Sequence, residues 1–357
     1  MPVAYAASVW ARALSFLLLT GLAAACTAEE AMDSAFQSLS RNPPPGAATP
    51  ETGDEGDAGT EQPSACPDGE RCFGRPARTG AFDVAEVPEA SGAARSLRDP
   101  GVLWLVDDRP GQAELLAVRP DGSAAGRLRL AGAETVNVEA LAAGPCEAGG
   151  DAPCLYIADI GDNTRSRADV RVLRVPEPDL AGGPAPAATP DVIALRYPDQ
   201  PHDAEALLVD AGGVPYVITK APFDAASGVT GATRLFAAPG FRDGLLLDLG
   251  AVPLPEPEVA VATLFYGNTV TGADSAPGRV LLRTYDQAVE YVAPSPDADL
   301  AGFAAWPHQR VPAPWQPQAE AVAYAGDHCG YYTLSEGSGD IWLVPCEGTD
   351  AGGRDAP

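Results

Sequence analysis

Between residues 82 and 346 the chain alternates short apolar runs with clusters of glycine, proline, aspartate and asparagine. The runs include VLWLVDD (102–108), ELLAVRP (114–120), LYIAD (155–159), RVLRVPEP (171–178), VIALRYP (192–198), VPYVITK (214–220), TRLFAAP (233–239), RVLLRTYD (279–286) and IWLVPC (341–346). Runs of this length, rich in β-branched and aromatic residues, predict strands, and the breakers between them predict turns. Helical periodicity is not sustained over any long window. The pattern therefore predicts an all-β chain built as a sandwich, barrel or propeller.

Internal repetition separates these architectures. NVEALA (137–142), DAEALL (203–208) and QAEAVA (318–323) match one another, and each precedes a turn and an apolar strand with a polar end: LYIAD, VPYVITK and YYTLSE (331–336). Two degenerate copies, EASGAA (89–94) and VTGAD (270–274), precede VLWLVDD and RVLLRTYD. Unit starts near 91, 139, 205, 271 and 320 give repeats of about 45 to 70 residues, the length of four-stranded propeller blades. The prediction is a five-bladed β-propeller, with six blades if 240–268 conceals another. The last unit lacks a fourth strand after IWLVPC, and AFDVAEVPE (81–89) ahead of the first unit is placed to supply it, so an N-terminal strand closes the ring. A pair of β-sandwich domains is the alternative.

The succession EASGAARS, PGVLWLVDD, NVEALAAGP, LYIADIGDN with Arg165, PEP (176–178), YPDQPHDAEALLVD, VITK, VTGAD and LLRTY resembles a family of secreted bacterial propellers that carry a DIGDN motif and are described as phytase-like or esterase-like. The resemblance spans nearly all of 85–346. It implies the propeller fold, but members share no settled activity and it implies little about chemistry. The chain has NVEALA where relatives carry an acidic, tryptophan-containing version, and VDDRPG in place of an Asn-Asp-Ser-Gly turn. These departures fall where any family site at the first two blades would lie.

The ends have a different character. Residues 13–25, ALSFLLLTGLAAA, form an apolar run too short to span a bilayer, and small residues then lead into Cys26. This resembles a lipobox: residues 1–25 are expected to be a lipoprotein signal peptide, with cleavage before Cys26 and lipidation of its thiol. An ordinary signal peptide is the alternative. Residues 26–80 lack apolar periodicity and are acidic, which predicts a disordered tether ahead of a folded domain at 81–346, with a polar tail at 347–357. The remaining cysteines fall in close pairs, Cys66 with Cys72, Cys146 with Cys154 and Cys329 with Cys346, and predict three local disulfides in an exported protein.

The formal net charge of −26 argues against a nucleic-acid partner, which needs clustered positive charge. In a propeller the first strand of each blade lines the channel, so Glu139, Glu205 and Glu320 are expected there, with Ser91 and Thr271 at the matching positions. The second strands return to the same face and are expected to end there with Asp107 and Asp108, Asp159, Lys220, Arg283 and Glu336. Lys220 is the expected partner of Glu205, and Arg283 of a neighbouring carboxylate. Asp159 is left to be balanced by Arg165 or by a cation. Gly161, Asp162 and Asn163 read as a turn, with Asp162 a candidate ligand at the mouth.

Ca²⁺ takes six to eight oxygens and would relieve the carboxylate surplus. The candidate metal set is Glu139, Asp159, Asn163, Glu205 and Glu320. His202, beside Asp203 and Glu205, is the one candidate general base. No nucleophile elbow, phosphate loop or dinucleotide fingerprint occurs. The sequence thus favours a monomeric, lipid-anchored binding or scaffold propeller on the cell envelope, meeting a protein or glycan at its channel face. The alternative is a Ca²⁺-dependent hydrolase, a phosphoesterase or lactonase, using the channel carboxylates.

Overall fold

The computed structural model describes residues 72–347, apart from residues 112–113, 181–186, 259–261, 296–297 and 327. The expected signal peptide, Cys26, Cys66, most of the expected tether and the tail beyond 347 lie outside the described residues. Those that are described form a five-bladed β-propeller. Each blade is a four-stranded antiparallel meander running outward from the channel. Blade 1 contains Ala90–Arg95, Leu103–Asp107, Glu114–Val118 and Ala124–Arg129, and blade 2 contains Val138–Pro145, Pro153–Asp159, Val170–Pro176 and Asp191–Arg196. Blade 3 contains Ala204–Val209, Pro215–Thr219, Arg234–Ala237 and Leu247–Ala251; blade 4 contains Val270–Ala276, Arg279–Thr284, Ala288–Val292 and His308–Val311. Blade 5 contains Ala319–Tyr324, Tyr331–Ser335 and Asp340–Val344.

Its fourth strand is Ala77–Ala81, paired antiparallel with Asp340–Val344. The ring therefore closes through an N-terminal strand as expected, but the strand ends at Ala81 instead of spanning 81–89, because residues 82–89 hold no strand and turn toward blade 1. The tether boundary moves with it, since Cys72–Phe73 also pairs with Cys346–Glu347. Among the described residues of 240–268 there is no sixth blade: Gly244–Leu245 adds a short parallel edge to blade 2, and Leu247–Ala251 completes blade 3. Disulfides join Cys146 to Cys154 and Cys329 to Cys346, and Cys72 is also disulfide-bonded.

Burial explains the apolar runs. Ala204–Val209 and Ala319–Tyr324 are buried along their whole length, because neighbouring blades cover both faces. The outermost strands, such as Ala124–Arg129, are mostly open to solvent instead, with Leu128 the one buried residue of that strand. The inner strands of successive blades pack in a ring, the fifth against the first.

Every inner strand carries a bulge at the same point. The register slips between Ala90 and Gly92, Val138 and Ala140, Ala204 and Ala206, Val270 and Gly272, and Ala319 and Ala321. The residue left over in each case is Ser91, Glu139, Glu205, Thr271 or Glu320. A bulge re-aims its extra side chain and bends the strand, so this device repeats the same opening five times around the channel.

Candidate functional site

The ladders define which second-strand residues are equivalent. Asp107, Asp159, Thr219, Thr284 and Ser335 pair with Ala90, Val138, Ala204, Val270 and Ala319. The residues that follow them are Asp108, Ile160, Lys220, Tyr285 and Glu336. Arg283 lies two positions before Tyr285, inside the ladder, where it pairs with Gly272 and Ala288. It is fully buried and donates Nη2 to Pro314 O at 3.2 Å and Gln316 Oε1 at 3.5 Å. Burial pulls its pKa down to about 10. Arg283 braces the segment leading into blade 5, and Tyr285 takes the place expected of it at the mouth. A signal for this was present: Thr219-Lys220, Thr284-Tyr285 and Ser335-Glu336 each put a hydroxyl residue before the mouth residue.

Asp159 has a structural job. Its carboxylate accepts the backbone N–H groups of Val136 (3.2 Å) and Asn137 (2.9 Å), fastening the start of the inner strand. Ser335 does the same for Gln318 N in blade 5, at 3.1 Å. The charge is met by Arg167, whose Nη1 lies 2.9 Å from Asp159 Oδ1 and 2.8 Å from Gly161 O. Arg165, the expected partner, instead adopts a left-handed backbone at φ 51° and closes a turn through its N–H to Asp162 O at 2.7 Å. Asp162 organises that turn, accepting from Arg167 N at 2.8 Å while its own N–H donates to Asp203 Oδ1 at 2.8 Å. Asn163 is exposed in the same turn.

Gly161 is needed for space rather than for unusual backbone angles. A Cβ there would lie 2.3 Å from Asn137 Nδ2 and 2.5 Å from Glu139 Oε1. Those two groups are themselves hydrogen-bonded at 2.6 Å. The DIGDN segment is thus a positioning device: Asp159 holds Asn137, Asn137 holds Glu139, and Gly161 leaves room for both. Gly161→Ala is expected to cost about 1–3 kcal/mol of stability, measured by urea denaturation, as overpacked sites do.

The mouth itself gathers Glu139, Glu205 and Glu320 from blades 2, 3 and 5, each buried. Glu205 accepts from Lys220 Nζ, which also donates to Tyr285 OH at 3.4 Å. Burial, then the charges of Glu205, Asp108 and Glu320, hold Glu139 well above the usual carboxylate range, against the pull of Lys220. Glu320 is raised likewise by burial and by Glu205, Glu336 and Asp108. Asp108 is pushed to about 8 by burial, a hydrogen bond with Glu89, and the charges of Glu89, Glu336 and Asp107. Burial opposes the charge on Lys220, but Glu205 and Tyr285 outweigh it and raise its pKa. Ser91 and Thr271 turn their hydroxyls to neighbouring backbone: they donate to Val138 O at 2.8 Å and Ala319 O at 2.6 Å, tying adjacent blades.

The five residues expected to hold Ca²⁺ do not fit that role as a set. Asp159 is committed to Arg167 and backbone, Asn163 stays in its turn, and Glu205 is bound to Lys220. A different group, Glu89, Asp107 and Asp108, has ligand atoms within 4.8 Å of one another and could hold a metal ion, although Asp107 is already paired with Arg109 at 2.7 Å. His202 is turned away from the glutamates. Its Nε2 meets the Asp199 carboxylate at 3.0 Å, and its ring packs on Tyr197 and Phe236. The sequence reading missed Arg167, Arg109, Asn137 and Glu89, whose roles depend on turns and neighbouring strands.

No protein-family model matches the chain, and no curated protein does. Among solved structures it is similar to a PQQ-bound aldose sugar dehydrogenase from Streptomyces coelicolor, at 12% identity and a TM-score of 0.43 over 79% of this chain and 100% of that one. A gluconolactonase from Xanthomonas campestris matches at 12% identity and 0.41, over 79% and 99%. The Swd1 β-propeller domain from Myceliophteria thermophila matches at 10% and 0.33, over 71% and 82%. At these identities the likeness is one of fold alone.

Proposed function

We propose that the protein is an exported, lipid-anchored binding propeller that receives a positively charged group of an envelope partner at its channel mouth. One observation carries this reading: Glu139, Glu205 and Glu320, with Asp108 among their electrostatic neighbours, face a single ammonium, that of Lys220. The neighbouring arginines are engaged elsewhere: Arg109 pairs with Asp107, Arg167 pairs with Asp159, and Arg283, whose charge reaches Glu320, is buried against Pro314 and Gln316. An incoming guanidinium or ammonium supplies the missing charge and displaces protons from the raised carboxyls.

The pH dependence follows. Protonated carboxyls do not attract a cation, so binding weakens below the raised pKa values and strengthens as pH climbs through about 8, the value for Asp108. A hexa-arginine peptide, charged throughout this range, is a suitable probe. Calorimetry at low salt is expected to show binding roughly tenfold tighter at about pH 9 than at about pH 6, with proton release. Glu139→Gln/Glu320→Gln is expected to lose most of the affinity and of its pH dependence. Equal binding by wild type and the double variant, or none by either, removes this reading.

The hydrolase alternative draws on the same ring, since Glu139 and Glu320, whose pKa values are raised first by burial, share it with Glu205, which is held by Lys220. Turnover of lactones or phosphomonoesters that disappears in Glu320→Gln would favour it.

A further inference from the structure

The boundary between blades 4 and 5 encloses a guanidinium that the protein only partly satisfies. Arg283, on the second strand of blade 4, has no exposed surface, and its Nη2 donates to Pro314 O at 3.2 Å and Gln316 Oε1 at 3.5 Å. Its Nε and Nη1 are buried and have no hydrogen-bond partner in the protein. Together those two nitrogens carry three N–H bonds. Gln316, 3% exposed, adds its amide group. Thr333 Oγ1 donates to Gln316 Oε1 at 2.8 Å, which fixes the orientation of the amide, and Nε2 is left buried without an acceptor.

The charge is in the same position. No carboxylate forms an ion pair with Arg283 among the described residues. Asp286 and Glu320 act on it from a distance, and the Asp286 oxygens accept from the backbone N–H groups of Ala262 at 3.0 Å and Thr263 at 2.6 Å. Buried charges are normally paired, and buried N–H groups normally find acceptors. Water accepts hydrogen bonds but brings no charge. A small anion meets both needs. The surroundings are closed, since Ala288 and Thr333 also have no exposed surface, and an enclosed position suits a compact monovalent ion better than a phosphoryl group.

We propose that Arg283 and Gln316 hold a halide ion, chloride in ordinary media, in the interior between blades 4 and 5. The ion accepts from the spare N–H groups of both side chains and fastens the connection into blade 5 to the second strand of blade 4. The site is independent of the cation proposed for the channel mouth. Gln316→Glu is the informative substitution: it keeps the oxygen that accepts from Thr333 and Arg283 and gives the guanidinium a carboxylate of its own, which takes the place of the ion. Arg283→Met removes the charge that attracts it.

Thermal melts of the full chain at about pH 7, in chloride series held at constant ionic strength with gluconate, read the site. The wild-type melting temperature is expected to rise by roughly 3 °C between chloride-free buffer and a chloride concentration about tenfold above Kd, then to level off. Gln316→Glu and Arg283→Met are expected to melt independently of chloride, and the excess chloride-35 NMR linewidth seen with wild type is expected to vanish in both. A wild-type melting temperature indifferent to chloride overturns the proposal and assigns the spare donors to water. Chloride dependence that survives in Gln316→Glu also overturns it, because the ion then binds elsewhere. Should Arg283→Met fail to fold, the wild type and Gln316→Glu still decide.

Discussion

Arg167→Ala is expected to destabilise the propeller by about 3–5 kcal/mol in urea denaturation, the usual cost of leaving a buried charge without its partner. Asp159 has no exposed surface, and Arg167 is its only ion-pair partner among the described residues. Its two backbone donors, Val136 N and Asn137 N, remain after the substitution but carry no compensating charge. The carboxyl then takes up a proton or draws in water, and either response loosens the backbone that positions Asn137 and Glu139. Arg167→Ala should therefore also weaken hexa-arginine binding, although Arg167 belongs to the turn behind the ring. Arg165→Ala is the control, since the Arg165 side chain is exposed and its contribution to the turn comes from its backbone N–H. A loss in Arg165→Ala equal to that in Arg167→Ala would refute the assignment.

Trp104→Ala should cost a similar amount, about 3–5 kcal/mol, through loss of a large buried side chain. Trp104 is fully buried in blade 1, and its indole Nε1 donates to Glu177 Oε1 at 2.9 Å across the boundary with blade 2. Glu177 belongs to the PEP segment, and its other oxygen accepts from Leu97 N at 3.0 Å while its carbonyl accepts from Arg98 Nε at 2.7 Å. Removing the indole leaves both a cavity and a buried carboxylate oxygen without its donor. Trp104→Phe keeps most of the ring volume and should lose about 1–3 kcal/mol, the penalty for the unpaired oxygen. Trp104→Phe as damaging as Trp104→Ala would show that the hydrogen bond, and not packing, holds this seam.

Both substitutions act on motifs recognisable in the sequence whose roles were not. DIGDN and PEP stand out as strings, yet each works through a partner on another turn or blade. Asp159 looked as though it faced the channel because it ends a strand whose end reaches the mouth. Its ladder position shows that it fastens Asn137, as Ser335 fastens Gln318. Arg165 and Arg167 are equally plausible partners by spacing. The turn closed by Arg165 N–H to Asp162 O decides between them by sending only Arg167 back over the strand end.

The sequence by itself determined the architecture and the inner glutamates. Strand length, alternation and turn chemistry are local properties, and the recurrence of x-(Ala/Val)-Glu-Ala motifs marks the inner strands without knowledge of any contact. The assignment of Lys220 to Glu205 also needed only neighbouring strands of one blade. Tertiary structure decided what depends on register and on several blades at once. The ladder kept Arg283 inside its strand and put Tyr285, two residues on, at the mouth, and closure fell to Ala77–Ala81 once residues 82–89 turned. The raised carboxyls of Glu139, Glu320 and Asp108 likewise arise from burial and from one another across blade boundaries. Residues brought together only when the ring closes leave no periodic trace in the chain, so their chemistry is decided by the fold.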